Sequence, residues 1–86
     1  MAEQESFYKI ESSEGLGSLV RKARLSLGLT QADAAGLLGV GIRFLSELER
    51  GKPTLEIERV LRVAIGLGLS VRVGMTSLER RNRKDG

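Results

Sequence analysis

Residues 28–54 read GLTQADAAGLLGVGIRFLSELERGKPT, and the placement of glycines and capping residues in this stretch decides the fold. Gly28 can take the positive φ that stops a helix, and Leu29 can fold back onto the helix it ends. Thr30 is a capping residue, followed by Gln31 and Asp33 in a first turn where such side chains suit free N–H groups. Ala32, Ala35 and Leu38 then recur at helical spacing, which predicts a short helix ending at Gly39. Gly39-Val40-Gly41 reads as a tight turn with Val40 as an apolar plug. A further helix is predicted from near Ile42 to Arg50, stopped by Gly51. Leu45, Leu48 and Phe44 face the core in this reading, while Ile42, Arg43, Ser46 and Glu47 face outward.

Before this stretch, Ser12 or Ser13 can cap a first helix over 13–27, with Glu14 in its first turn and Leu16, Leu19, Val20, Ala23 and Leu27 on one side. After it, Pro53 keeps Lys52 out of a helix, and Thr54 reads as the cap of a fourth helix over about 55–67. Leu55, Val60, Leu61, Ala64, Ile65 and Leu67 are expected inward, and Gly68 ends that helix. Leu69-Ser70-Val71-Arg72-Val73 alternates apolar and polar with β-branched residues, the pattern of a strand. A lone strand leaves its donors and acceptors unpaired, so the simplest partner is the same strand, 69–74, of a second copy. Three segments result: an arm over 1–11, the helical domain with its strand over 12–75, and a polar, basic tail over 76–86.

Eighty-six residues support one core, and with two Phe, one Tyr and no Trp that core is aliphatic, which favours packed helices. No cysteine and no histidine are present, so neither a disulfide nor a usual structural metal site adds to a small core, and pairing with a second copy is the remaining route. No stretch is apolar enough to span a membrane, and the N-terminus lacks a basic segment followed by an apolar run, so the expected address is the cytoplasm. The net charge of +3 hides an asymmetry: residues 1–14 carry four acids and one base, leaving the rest at +6. A basic domain attracts phosphate polyanions, though a soluble surface needs charge too.

Two short capped helices meeting at a glycine turn, the second polar on its outer side, form a unit that fits the major groove of DNA. These residues resemble the Xre/Cro/lambda-repressor class of helix-turn-helix domains, in Leu29-Thr30-Gln31, the small Ala35, the Gly39-Val40 turn and Glu49-Arg50-Gly51, over roughly residues 13–68. A narrower likeness is to HipB-type antitoxins, on Phe7, Lys9-Ile10 and Ser12 before the first helix and Leu69 to Val73 after the fourth. The resemblance implies an all-α, four- to five-helix lambda-repressor-like domain whose short C-terminal strand pairs across a homodimer.

It also implies roles. Gly41, Ile42, Arg43, Ser46 and Glu47 stand where similar repressors read bases or flank them. Arg43 suits a bidentate bond to guanine or a phosphate contact, its plain alternative being a solvated arginine. Glu47 repels phosphate unless it accepts from cytosine, and Ile42 suits a thymine methyl or a site read by shape. Thr30 and Gln31, at a helix N-terminus, suit a phosphate, as do Arg50, Lys52 and Thr54; Thr30 as a plain cap and Lys52 as a solvated loop residue are the alternatives. Arg24 and Glu49 match an internal ion pair of similar repressors, and otherwise are two unrelated charges. Leu69, Val71 and Val73 are the dimer strand.

The expected function is a DNA-binding repressor acting as a homodimer on a palindromic operator, in HipB fashion an antitoxin that represses its own operon and binds a HipA-like kinase toxin. A stand-alone Xre-family regulator and a protein-interaction module that has lost DNA binding are the alternatives. With no His or Cys, no phosphate-binding glycine loop and no metal-spaced cluster, no catalytic residue, cofactor or metal is expected.

Overall fold

The computed structural model describes residues 6–76, which form four helices: α1 (Ser13–Ser26), α2 (Gln31–Leu38), α3 (Ile42–Glu49) and α4 (Ile57–Gly66). The first five residues of the expected arm and residues 77–86 of the expected tail lie outside the described residues.

All four helices close in one way. Just past each end an N–H returns to a carbonyl five residues back: Leu29 to Arg24 at 3.3 Å, Val40 to Ala35 at 3.1 Å, Lys52 to Glu47 at 3.0 Å and Leu69 to Ala64 at 3.0 Å. The reversal requires a left-handed residue just before that N–H, and Gly28, Gly39, Gly51 and Gly68 supply it with φ of 73°, 71°, 89° and 96°. The starts differ. Ser12 Oγ accepts the Gly15 N–H at 3.0 Å, and Thr30 Oγ1 accepts the Asp33 N–H at 3.0 Å, so α1 and α2 carry side-chain caps. α3 and α4 begin at Gly41 and Glu56 without one.

The core is one aliphatic cluster. Val20 comes from α1, Ala34 and Ala35 from α2, Leu45 and Leu48 from α3, Val60 and Val63 from α4, and Leu67 from its end, with Leu16, Leu29, Leu38, Val40, Phe44, Leu55 and Leu69 packed around them. Each fully buried Val or Leu contributes ~1.5–3 kcal/mol, so the register of these stripes holds the helices in place. α1 lies directly against the end of α3. Gly17 permits this, because a Cβ there would stand 2.2 Å from the Leu48 carbonyl oxygen. Gly51 is similarly pressed on the backbone of Glu14, and Ser13 Oγ donates to the Gly51 carbonyl at 2.7 Å.

Several expectations are corrected. α4 starts at Ile57 rather than near 55, and Thr54 does not cap it. Leu55 packs on the core from the connector before the helix, which postpones its start by about half a turn. The buried stripe of α4 is Val60, Val63, Ala64 and Leu67, at helical spacing, whereas Leu61 and Ile65, expected inward, are exposed. In α2 the small buried residues are Ala34 and Ala35, with Ala32 exposed, and Leu27, expected on the inner side of the first helix, lies just past the end of α1 and is exposed. The described residues hold four helices, within the expected four to five, and 69–76 runs without regular structure in the single chain, where the strand expected there has no second backbone edge to pair with.

Candidate nucleic-acid interface

The position of α3 is fixed by a buried polar cluster. Arg24, near the end of α1, donates from Nε to Glu49 Oε2 at 2.6 Å and from Nη2 to Glu49 Oε1 at 2.9 Å, a two-pronged bond at the far end of α3. Its Nη1 donates to the Leu29 carbonyl at 2.7 Å, which ties in the turn before α2. Gln31 Nε2 donates to Glu49 Oε1 at 3.0 Å, which ties in α2 itself. Arg24 and Glu49 are 6% and 9% exposed, so the pair is largely shielded from water and must be satisfied by its neighbours. It is: among the described residues no buried side-chain nitrogen or oxygen lacks a partner. Burial pushes the Glu49 carboxyl up, but the hydrogen bonds from Arg24 and Gln31 outweigh that and hold it below its ordinary range.

With Leu45 and Leu48 locked inward, α3 turns its other side out. Gly41, Ile42 and Arg43 are exposed at its start, and Ser46 and Glu47 are half-buried one turn later. The start of this surface is open, since nothing lies within 4 Å of where a Cβ on Gly41 would point. The charges on it are paired. Arg43 Nε donates to Glu47 Oε2 at 3.3 Å, and Lys52 Nζ stands 3.5 Å from Glu47 Oε1. The Arg43 side chain is 90% exposed, whereas that of Glu47 is 17% exposed, so the carboxylate sits low between two cations. Partial burial raises the Glu47 carboxyl, yet the hydrogen bond from Arg43 and the charge of Lys52 prevail and hold it below its usual range. Arg50 Nη1 donates to Ser46 Oγ at 2.5 Å.

The residues singled out from the sequence thus divide. Gly41, Ile42, Arg43, Ser46 and Glu47 share one face, and bonds to Ser46 and Glu47 bring Arg50 and Lys52 to it. Gln31 is joined to the buried cluster instead: its amide nitrogen donates one hydrogen to Glu49, and its backbone N–H, at the start of α2, is a donor suited to an anion. The Thr30 hydroxyl is occupied as a cap. Thr54 is exposed, but with α4 starting at Ile57 no helix N-terminus stands behind it. Sequence reasoning missed Gly17, whose lone hint was a glycine in mid-helix without a turn to make. It also missed the reach of Gln31 into the ion pair, and the double pairing of Glu47.

Two short helices crossing at a glycine turn, the second buried on one side and open on the other, define a helix-turn-helix domain. Residues 20–73 match the Helix-turn-helix family, and the chain belongs to that family in its Xre-type form. An HTH-type transcriptional regulator of Sinorhizobium fredii (strain NBRC 101917 / NGR234), y4mF, itself uncharacterized, is 44% identical over 63 residues, which is 73% of this chain and 83% of that protein. The chain is accordingly a DNA-binding transcriptional regulator of the helix-turn-helix class. Among solved structures, a HipB–O4 20-mer complex matches with a TM-score of 0.73 at 22% identity over 83% of this chain and 100% of that one. A complex of a HipB variant with an O2 20-mer matches at 0.69 and 27% identity over 84% and 100%. A HipA–HipB–O2–O3 complex matches at 0.73 and 24% identity over 83% and 100%. Among the described residues no His, Cys, Asp or Glu group is placed to hold a metal ion, and no helix is long and apolar enough to cross a membrane.

Proposed function

We propose that this regulator is a sequence-specific repressor that binds a palindromic operator as a homodimer. We further propose that it acts as a HipB-like antitoxin, repressing its own operon and binding a HipA-like kinase toxin. The observation that carries the DNA reading is the division of α3: Leu45 and Leu48 are buried while Ile42 and Arg43 stand clear at its N-terminal end. Placed in a major groove, Arg43 reaches the O6 and N7 of a guanine, Ile42 a thymine methyl, and Glu47 a cytosine amine, with Gly41 and Ser46 admitting close approach. The N–H groups at the start of α2, beside Thr30 and Gln31, together with Arg50, Lys52 and Thr54, face the flanking phosphates.

Pairing of two copies is supported by apolar surface that one chain leaves open. Ile57, Leu61 and Ile65, four residues apart on α4, are 66%, 37% and 59% exposed. They adjoin a groove of about 580 Å³ whose lining includes Ile57, Leu61, Phe7, Tyr8 and Val71. Leu69 is packed on the core and closes α4, so strand pairing falls mainly to Val71 and Val73. The likeness to HipB in a complex with HipA supports the toxin partner. The second reading, a regulator that works without a toxin, asks no more than the likeness to y4mF, which is named only as an HTH-type transcriptional regulator.

Arg43→Ala tests the DNA reading. Operator affinity should fall by ~1–3 kcal/mol with folding unchanged, and undiminished binding would refute the role of Arg43. Co-expression with a kinase-like protein encoded beside its gene separates the two readings: the antitoxin co-purifies with it, and the stand-alone regulator does not.

A further inference from the structure

We propose that Glu47 is a specificity-determining residue, acting by neutralising Arg43 and Lys52 so that α3 is held off the phosphates of non-operator DNA. The inference rests on the reading of α3 as the DNA-facing helix and adds a function to a residue of that face.

Two distances and two exposures carry it. One carboxylate takes Arg43 on Oε2 at 3.3 Å and Lys52 on Oε1 at 3.5 Å, so both oxygens serve basic residues of the proposed DNA-facing surface. The Glu47 side chain is 17% exposed and that of Arg43 is 90% exposed, so the acid is the fixed partner and the arginine the movable one. At this spot the surface presents a net charge of +1 where its two cations alone would present +2.

The consequence differs between sequences. Phosphates are the same along any duplex, and a protein held by them alone gains roughly one counterion release for each cation it commits. A carboxylate beside those cations weakens their hold on phosphate and adds its own repulsion, so non-specific binding suffers most. An operator offers compensation at the base edges. A cytosine N4 amine gives Glu47 a donor, and a guanine gives Arg43 two acceptors. Arg43 and Glu47 are one helical turn apart, about 6 Å along α3, which spans neighbouring base steps. Non-operator sequence leaves the carboxylate facing anions without such a donor.

Glu47→Gln keeps the shape and removes the charge. Titration of the variant and the unaltered protein against a random duplex and an operator duplex, over a series of salt concentrations, reads the effect. The proposal expects the variant to bind the random duplex about 10-fold more tightly at low salt, with a log K against log salt slope steeper by about 1 to 2. The preference for operator should shrink correspondingly. Adding Lys52→Gln to Glu47→Gln should return part of the slope. Equal slopes and an unchanged preference would overturn the proposal, as would weaker operator binding with random-duplex binding unaltered, which would make Glu47 a base reader alone. Should the unaltered protein bind neither duplex in a salt-sensitive way, the DNA reading itself falls; a failure confined to the variant leaves that reading standing.

Discussion

Replacing Gly17 with alanine adds one methyl group where α1 meets the backbone at the end of α3. Its Cβ would stand 2.2 Å from the Leu48 carbonyl oxygen and 2.9 Å from that of Glu49, where ordinary contact begins at 3.4 Å. Both obstacles are backbone, so no rotamer change relieves them, and α1 and α3 must separate by about 1 Å. Overpacking of this kind costs ~1–3 kcal/mol, and rigid obstacles place it near the upper end. Alanine returns ~1 kcal/mol through its better helix propensity, leaving a net loss of ~2 kcal/mol. In a domain of this size each kcal/mol moves Tm by roughly 4–8 °C, so thermal unfolding followed by circular dichroism should show a drop of roughly 8–16 °C. Gly36→Ala is the control. It also lies inside a helix, but nothing is within 4 Å of its Cβ position, so the same propensity gain should raise Tm by a few degrees. A Tm for Gly17→Ala equal to or above that of the unaltered protein would refute the close-packing argument.

Other perturbations test other parts of the account. Glu49→Ala strands Arg24 inside the fold and should cost ~3–5 kcal/mol in denaturant unfolding, whereas Arg24→Met with Glu49→Leu should lie much nearer the unaltered protein. Because Glu49 is held below its ordinary value of 4.5 in the fold, its contribution is fully present above that pH and drains away as pH falls through the folded value. A Tm-against-pH series should therefore decline below about 4.5 in the unaltered protein and decline less in the Met/Leu variant. Val71→Lys with Val73→Lys places charge on side chains that are 49% and 94% exposed, so each chain should keep its helical spectrum while size-exclusion elution shifts from dimer to monomer. Unchanged elution as a dimer would move the pairing surface elsewhere.

Helix ends were the most legible feature of the sequence. A glycine followed by an apolar residue or lysine closes every helix, and because only glycine takes positive φ cheaply, the signal is local and survives any packing. Helix faces were less legible. Leu61 and Ile65 have the hydrophobicity of core residues, and sequence alone does not tell a face that covers its own chain from one left open to another. The start of α4 was misplaced because Thr54 is a good cap by type, while the burial of Leu55, a tertiary demand, holds that segment extended. On the candidate site, the outward set followed by elimination once Leu45 and Leu48 were assigned to the core. The pairing of Arg24 with Glu49, which are 25 residues apart, came from resemblance rather than spacing, since no local rule links them. Gln31 shows why the rest was hidden: a side chain suited to an anion was drawn instead to a buried acid that only the folded chain brings near.

The central claim is that α3 enters a DNA groove. Footprinting and titration on the duplex upstream of the protein's own gene, across a salt series, tests it most directly. The account predicts two protected half-sites related by a palindrome and spaced by a whole number of helical turns, with affinity that falls steeply with salt and exceeds that for random duplex. Protection without symmetry, or affinity equal on random duplex, would contradict the paired, sequence-reading arrangement. No salt-sensitive association at all would contradict the claim itself.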